Sequence, residues 1–337
     1  MMTRQVVLTS RPVGAPVAGD FAIRDVDLPD LAPGEFRVRN HLLSLDPGIR
    51  QRLSQVDSYV KLIDLGAPVT STTLGIVEES RDPRAAVGDH VIGFHTIAER
   101  SNAIWGPLTR KIDPAATAAL SHHLSVLGPT GLTAYFGLLE IGRPRAGETV
   151  LVSAAAGAVG SIAAQIARIQ GCRVVGIAGG ARKAARLIDE FGLDAAIDYR
   201  DKDLAALTAA IRAAAPAGVD VFFDNVGGVQ LDAALDCLNP RGRVALCGLI
   251  SQYNAAVPEQ RFRNMFKLIA KSARIEGFVV LSYAERFPDA LRELAGWIRD
   301  GRLTFREQIE EGLEAAIPGF LRLFDGTNDG KMMVRLP

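Results

Sequence analysis

Between Glu148 and Gly180 the chain reads ETVLVSAAAGAVGSIAAQIARIQGCRVVGIAGG. Thr149-Val150-Leu151-Val152 is a β-branched apolar run of strand type, small residues follow, and Val159, Ile162, Ile166 and Ile169 then recur with helical period on one face. Gly171 stops that helix and a second buried-type strand spans Arg173 to Ala178, so the stretch predicts a β-α-β unit. In its turn, Ala155, Gly157 and Gly160 take the G-x-G-x-x-G positions, with alanine in the first slot. Glycine at 157 lets the backbone approach a pyrophosphate, glycine at 160 lets the helix pack close to the sheet, and the free N–H groups at the helix start offer an anion site. Small residues also occur wherever a helix packs tightly on a sheet. Here strand, turn, helix and strand follow in the order the fingerprint requires.

The end of the second strand bears on which nucleotide fits. A free adenine ribose usually meets an acid about twenty residues past the glycines, whereas a 2′-phosphate needs cations and room. This chain has Gly179-Gly180, then Arg182 and Lys183, with no acid until Asp189. The expectation is NADPH/NADP+ rather than NAD(H). The alternative is that Arg182, Lys183 and Arg186 form only the solvated face of the next helix.

At 337 residues the chain is long enough for two cores, and its 48% apolar and 23% charged shares are those of a globular protein. Thirty-eight basic residues balance 38 acidic ones, which points away from nucleic-acid and membrane partners. Cys172, Cys237 and Cys247 are too few and too scattered for a disulfide framework or a four-thiolate zinc site. The opening residues lack the basic head and apolar core of a signal peptide. Two long uncharged stretches, Pro114 to Leu139 and Thr149 to Ala167, carry histidines, a Gly-Pro pair and the fingerprint turn, so neither suits a bilayer. A cytoplasmic protein is expected.

Up to about Ile112 the pattern is short alternating runs, Gln5–Leu8, Glu35–Arg39, Thr73–Val77 and His90–Phe94, broken by turn signals such as Pro33-Gly34. That predicts a mostly β domain, barrel or sandwich. Beyond Pro129 come a helix at Leu132 to Ile141 and then alternating units. Helices are expected at 181–191, 204–214, 229–238, 261–271 and 287–300, with strands at 195–198, 219–224, 242–247 and 273–280. Six strands of parallel type make a doubly wound α/β sheet. A helix around Ile317 to Phe324 and a strand at Lys331 to Leu336 are too little for a third core, so the tail is expected to return to the first domain.

SLDPGIRQRL from Ser44, GLTAYFGLLEIG from Gly131, LVSAAAGAVGS from Leu151, VVGIAGG from Val174, AAIDY from Ala195, FDNVGG from Phe223, CGLISQYN from Cys247, EGFVV from Glu276 and GKMMV from Gly330 form an ordered set. Through them the chain resembles the zinc-independent branch of the medium-chain dehydrogenase/reductase superfamily, which holds prostaglandin reductases, leukotriene dehydrogenases and alkenal double-bond reductases. The resemblance implies a GroES-like β domain over 1–128, completed by 302–337, a Rossmann domain over 129–301, an active site between them, and a homodimer. It implies cofactor contacts from Gly157, Ala158, Val159 and Gly160 at the pyrophosphate and from Gly180, Lys183 and Tyr199 at the ribose phosphate. It also implies that Asn225, Cys247, Gly248, Leu249, Ile250, Ser251, Tyr253, Phe278, Val279, Val280 and Asn328 hold the nicotinamide half. Gly48 and Pro129-Thr130 depart from the pattern, where many relatives carry an aromatic residue and a Met-Pro pair.

No metal ligand set is expected. Zinc-dependent cousins polarise a carbonyl with a metal held by cysteine, histidine and carboxylate, but the corresponding position falls in Ser44-Leu45-Asp46, and no cysteine precedes Cys172. His122 and His123, being adjacent, make a poor chelate, and His41, His90 and His95 read as ordinary polar positions. Without a Lewis acid, hydride addition to the β-carbon of an enone needs less help than ketone reduction, because charge spreads onto an enolate oxygen that a neutral donor can bind. Tyr253 is the candidate catalytic donor, since a phenol of pKa about 10 stays protonated at neutral pH. It could instead only pack on the cofactor ribose, with water delivering the proton. Tyr59, Trp105 and Tyr283 are candidate pocket walls, and Arg50 and Arg52 are read as structural. The function expected is NADPH-dependent C=C reduction in α,β-unsaturated ketones and aldehydes. The alternatives are quinone reduction and non-catalytic NADPH binding.

Overall fold

The computed structural model describes residues 1–54, 61–255 and 263–337. The chain divides into one unit of 1–125 with 307–337 and a second of 126–306.

In the first unit, β1 (Met2–Leu8) and β2 (Phe21–Asp27) form an antiparallel pair. The larger sheet uses β3 (Phe36–Ser44), β4 (Thr70–Ser80), β5 (His90–Thr96), β6 (Arg100–Ala103) and β7 (Arg110–Ile112), with the short helix α1 (Ile49–Arg52) after β3. The alternating runs were visible in the sequence, but the strands extend well past them. β2, β6 and β7 carry charged residues along half-exposed positions, which hides their period.

The second unit is the α/β sheet. Its strands are β8 (Thr149–Val152), β9 (Arg173–Ala178), β10 (Ala195–Asp198), β11 (Val219–Asp224), β12 (Leu238–Leu246) and β13 (Arg274–Gly277). All pair in parallel in the order β10-β9-β8-β11-β12-β13. The helices are α2 (Pro129–Phe136), α3 (Ala158–Ile169), α4 (Ala181–Asp189), α5 (Leu204–Ala214), α6 (Gly228–Cys237), α7 (Phe266–Lys271) and α8 (Phe287–Arg299). Ile162 and Ile166 of α3 are buried, each worth about 1.5–3 kcal/mol relative to exposure, while Val159 and Ile169 pack at the core's margin.

Three expected elements are corrected. The helix expected at Leu132 begins at Pro129, a residue preorganised for a first helical turn, and gives way at Gly137 to a π-helical turn through Gly142. The strand expected over 273–280 ends at Gly277, where its pairing with β12 runs out: Leu246 of β12 pairs with Gly277, and a 3-10 turn follows at Val280–Arg286. The helix expected from Arg261 starts at Phe266; residues 261 and 262 lie outside the described residues.

After α8 the chain adds β14 (Glu307–Glu311), α9 (Ala316–Asp325) and β15 (Lys331–Arg335) to the first unit, whose sheet then runs β14-β15-β3-β4-β5-β7, with β6 on β3. Among the described residues no helix is long and apolar enough to cross a membrane.

Candidate active site

A parallel sheet delivers every strand's carboxyl end to one edge, and in such sheets ligands bind at that edge. There β8 ends in the fingerprint turn. Ala154 takes a left-handed conformation (φ 46°), and the Gly157 amide donates to its carbonyl at 2.9 Å. A Cβ on Gly160 would collide with that same carbonyl oxygen, so only glycine lets α3 start this close. Alanine fits the first slot because Ala155 is enclosed against Gly176 of β9. The first bond into α3 runs from the Ser161 amide to the Gly157 carbonyl at 3.0 Å, so the amides of Ala158, Val159 and Gly160 precede the helical ladder. They can hold an anion.

At the end of β9, Gly179 faces the Tyr199 ring, and Gly180 (φ 88°) lies beneath the Arg200 guanidinium; a Cβ on either would stand 3.2 Å from those groups. Lys183 sits half-buried in the first turn of α4, Arg182 is exposed, and Arg186 is buried beside Glu190 at 3.6 Å. Arg200 was not found by sequence reasoning, because it arrives from the following crossover. So does an acid: Asp198 accepts from the amides of Gly180 (2.7 Å) and Arg200 (3.0 Å). Burial pushes its carboxyl up, but those amides and the charges of Lys202 and Arg200 outweigh this and hold it below the usual range. The end of β9 therefore offers a phenol and cations around bare glycines, and the local carboxylate is committed to backbone.

Asp224 organises the third part. Fully buried at the end of β11, it accepts from the Ser153 hydroxyl (2.8 Å) and from the amides of Val226 (2.9 Å) and Gly227 (3.0 Å). Burial raises its pKa, against the pull of those donors. Ser153 in turn receives the Asn225 amide at 2.7 Å, and the Asn225 side chain donates to the Ser153 carbonyl at 2.7 Å. The ends of β8 and β11 are thus tied together. The Asp224 carbonyl accepts from Cys247 and Gly248, the Asn225 carbonyl from Ile250, and the Val226 carbonyl from Ser251. Leu249 covers Gly227, and Tyr253 folds back so that its hydroxyl would lie 3.2 Å from a Cβ on Gly248. Phe278, Val279 and Val280 follow the end of β13.

The structure thus gathers the candidate cofactor residues of the second unit at one sheet edge. Asn328 stands in the first unit, donating to the Gly330 carbonyl at 3.2 Å on the approach to β15. Tyr283 stacks on Phe136 and Trp105 leans on Phe36, while Tyr59 lies outside the described residues. At Ser44-Leu45-Asp46, the Asp46 carboxylate accepts from the buried Lys331 ammonium and, at 2.5 Å, from the Ser44 hydroxyl. Among the described residues no three His, Cys, Asp or Glu side chains are grouped to hold a metal ion. Burial raises all three thiols, Cys172 to about 11 and Cys247 to about 12.

A family model described as the N-terminal domain of oxidoreductase matches residues 4–106, and one described as zinc-binding dehydrogenase matches 158–296. An NADPH-dependent curcumin reductase of Escherichia coli (strain K12) is 37% identical over 338 residues, covering 99% of this chain and 96% of that protein. A 2-alkenal reductase (NADP(+)-dependent) of Nicotiana tabacum is 38% identical over 335 residues, covering 98% and 96%. The crystal structure of CurA in complex with NADPH from Vibrio vulnificus is 37% identical, covers 99% of each chain and superposes with a TM-score of 0.93.

Proposed function

Because the chain belongs to the zinc-independent branch of the medium-chain dehydrogenase/reductase superfamily, we propose that it uses NADPH to reduce the C=C bond of α,β-unsaturated ketones and aldehydes. The reading is supported by relatives named for curcumin and alkenal reduction, and by an NADPH complex of a protein with the same fold. The observation that carries it is the joint presence, at one sheet edge, of the open α3 amides, the Tyr199, Arg200 and Lys183 surround, and the Tyr253 phenol.

In this reading the amides of Ala158, Val159 and Gly160 hold the pyrophosphate, and Lys183 with Tyr199 binds the ribose phosphate. Asn225, the 247–253 segment and the 278–280 segment hold the nicotinamide half, and Asn328 is a further candidate contact. NADPH supplies a hydride to the substrate β-carbon. Tyr253 then donates a hydrogen bond to the enolate oxygen on which charge collects, so that the negative charge is met by a neutral acid. A proton relayed by that phenol or taken from water adds to the α-carbon to complete the saturated carbonyl. Fixing residues 247–253 to the Asp224 and Asn225 carbonyls holds that donor in place before the charge arrives.

NADPH absorbance with enones, alkenals and quinones as acceptors tests the reading. Enones and alkenals should be reduced. Turnover of quinones alone would replace this reading with quinone reduction, and no oxidation with any acceptor would leave an NADPH-binding protein. In Tyr253→Phe, kcat should fall by about 10- to 100-fold with NADPH affinity retained. Unchanged turnover would remove Tyr253 from the mechanism.

A further inference from the structure

Where α2 ends, the backbone widens: the Arg143 amide reaches back five residues to the Leu138 carbonyl at 2.8 Å, closing the π-helical turn, and Arg143 itself is left-handed (φ 47°). Such turns are rare and tend to mark functional positions. This one is held from outside. The Arg243 guanidinium donates to the carbonyls of Gly142 and Arg143, each at 3.0 Å, and Arg274 donates to the Ile141 carbonyl at 2.9 Å. Arg243 is itself fixed by Glu148 at 2.5 Å. Two arginines from β12 and β13 thus satisfy the carbonyls that the widened turn presents.

The consequence appears at the other end of the turn, at two adjacent residues. Gly137 is buried, and a Cβ there would collide with the tip of the Phe278 ring and stand 2.9 Å from the Phe223 ring. Its neighbour Phe136 stacks on Tyr283, with ring centroids 4.7 Å apart and planes 8° from parallel. Phe278 and Tyr283 bracket Val279–Ser282. The junction of α-helix and π-turn therefore grips both ends of the loop that leaves β13.

We propose that Phe136 and Gly137 are positioning residues, a two-point seat that fixes Val279 and Val280 against the nicotinamide half of NADPH. This rests on the function proposed above. Gly137 has no side chain because its bare Cα is where the Phe278 ring must lie. The Phe223 ring beside it is itself fully buried and cannot yield, so an added methyl displaces Phe278 and the loop with it. The adenine half is bound by other strand ends and should not feel the change.

The test is calorimetric titration of Gly137→Ala with NADPH and with 2′,5′-ADP, which carries only the adenine half. NADPH should bind about tenfold more weakly, with 2′,5′-ADP unchanged. Unchanged NADPH binding, or equal weakening of both ligands, would overturn the seat. Should Gly137→Ala not fold, Phe136→Leu, which removes the stack on Tyr283, is expected to show the same split, and equal losses there overturn the proposal as well. If the unsubstituted protein fails to prefer NADPH over NADH, it is the cofactor reading that falls.

Discussion

Arg200 stands two residues beyond the carboxylate that holds Gly180, and its guanidinium lies over that glycine's Cα. Asp198 fixes both ends of this arrangement, because it accepts from the Gly180 and Arg200 amides together. A phosphate on the adenine ribose would meet Arg200 as well as Lys183 and Tyr199, and a charge-assisted bond of that kind contributes about 1.5–3 kcal/mol. Arg200→Ala should therefore raise the KM for NADPH about tenfold or more while leaving that for NADH nearly unchanged. Equal effects on the two cofactors would show that Arg200 does not sense the 2′-phosphate. Nothing in the local sequence pointed to this residue. It follows a short strand whose pairing with β9 brings it to Gly180, and that pairing is long-range information.

The two glycines of the β8–α3 turn look alike in the sequence, yet the element uses them differently. Gly160 is fixed by packing, since a methyl there meets backbone that has nowhere to move. Gly157 has an ordinary φ of −82°, and a Cβ would stand 3.1 Å from the Ala154 carbonyl oxygen. Gly160→Ala should lower stability by about 1–3 kcal/mol in denaturant titration and weaken NADPH with it. Gly157→Ala should cost mainly NADPH affinity, because its open side is where the pyrophosphate is proposed to lie. Equal stability losses in both variants would refute this division. The same turn explains what was readable: 149–152, 173–178 and 219–224 are short, mostly buried strands rich in β-branched and aromatic residues, so local composition and turn residues coincide. β2, β14 and the α-to-π junction were not readable. FAIRDVD and EQIEE carry charge along exposed edges, and the junction depends on arginines about 100 or more residues away in sequence. The candidate site followed the same rule. Residues on strand-turn-helix motifs were candidates from the sequence alone, whereas Asp224 and Arg200 come into view only through pairing across the sheet.

For the whole molecule, the two units differ most in how they meet acid. All five histidines precede residue 126, in the first unit. His95 is 5% exposed; its Nδ1 shares a 3.0 Å bond with Thr73 and its Nε2 is buried without a partner, so burial pushes it down to about 4. Burial first, and then the charges of Arg110 and His122, take His123 down to about 4 as well, with its Nδ1 unpartnered. Both folded-state values lie below the unfolded value of about 6.5, so the stability these rings contribute is present above that pH and is lost as pH falls toward 4. For His95 the full loss amounts to about 3 kcal/mol. In the second unit Asp224 has the opposite sign, since a raised carboxyl favours folding at low pH, and depressed carboxyls such as Asp198 respond only near and below about pH 4. Between pH 6.5 and 4.5, then, acid should weaken the first unit alone. The two tryptophans can read this separately, because Trp105 lies in the first unit and Trp297 in the second. In single-tryptophan variants, Trp105 emission should change at a higher pH than Trp297 emission, and His95→Gln, which cannot titrate, should bring the Trp105 transition closer to the other. Coincident transitions that ignore His95→Gln would mean that the buried imidazoles do not set the acid limit of the first unit.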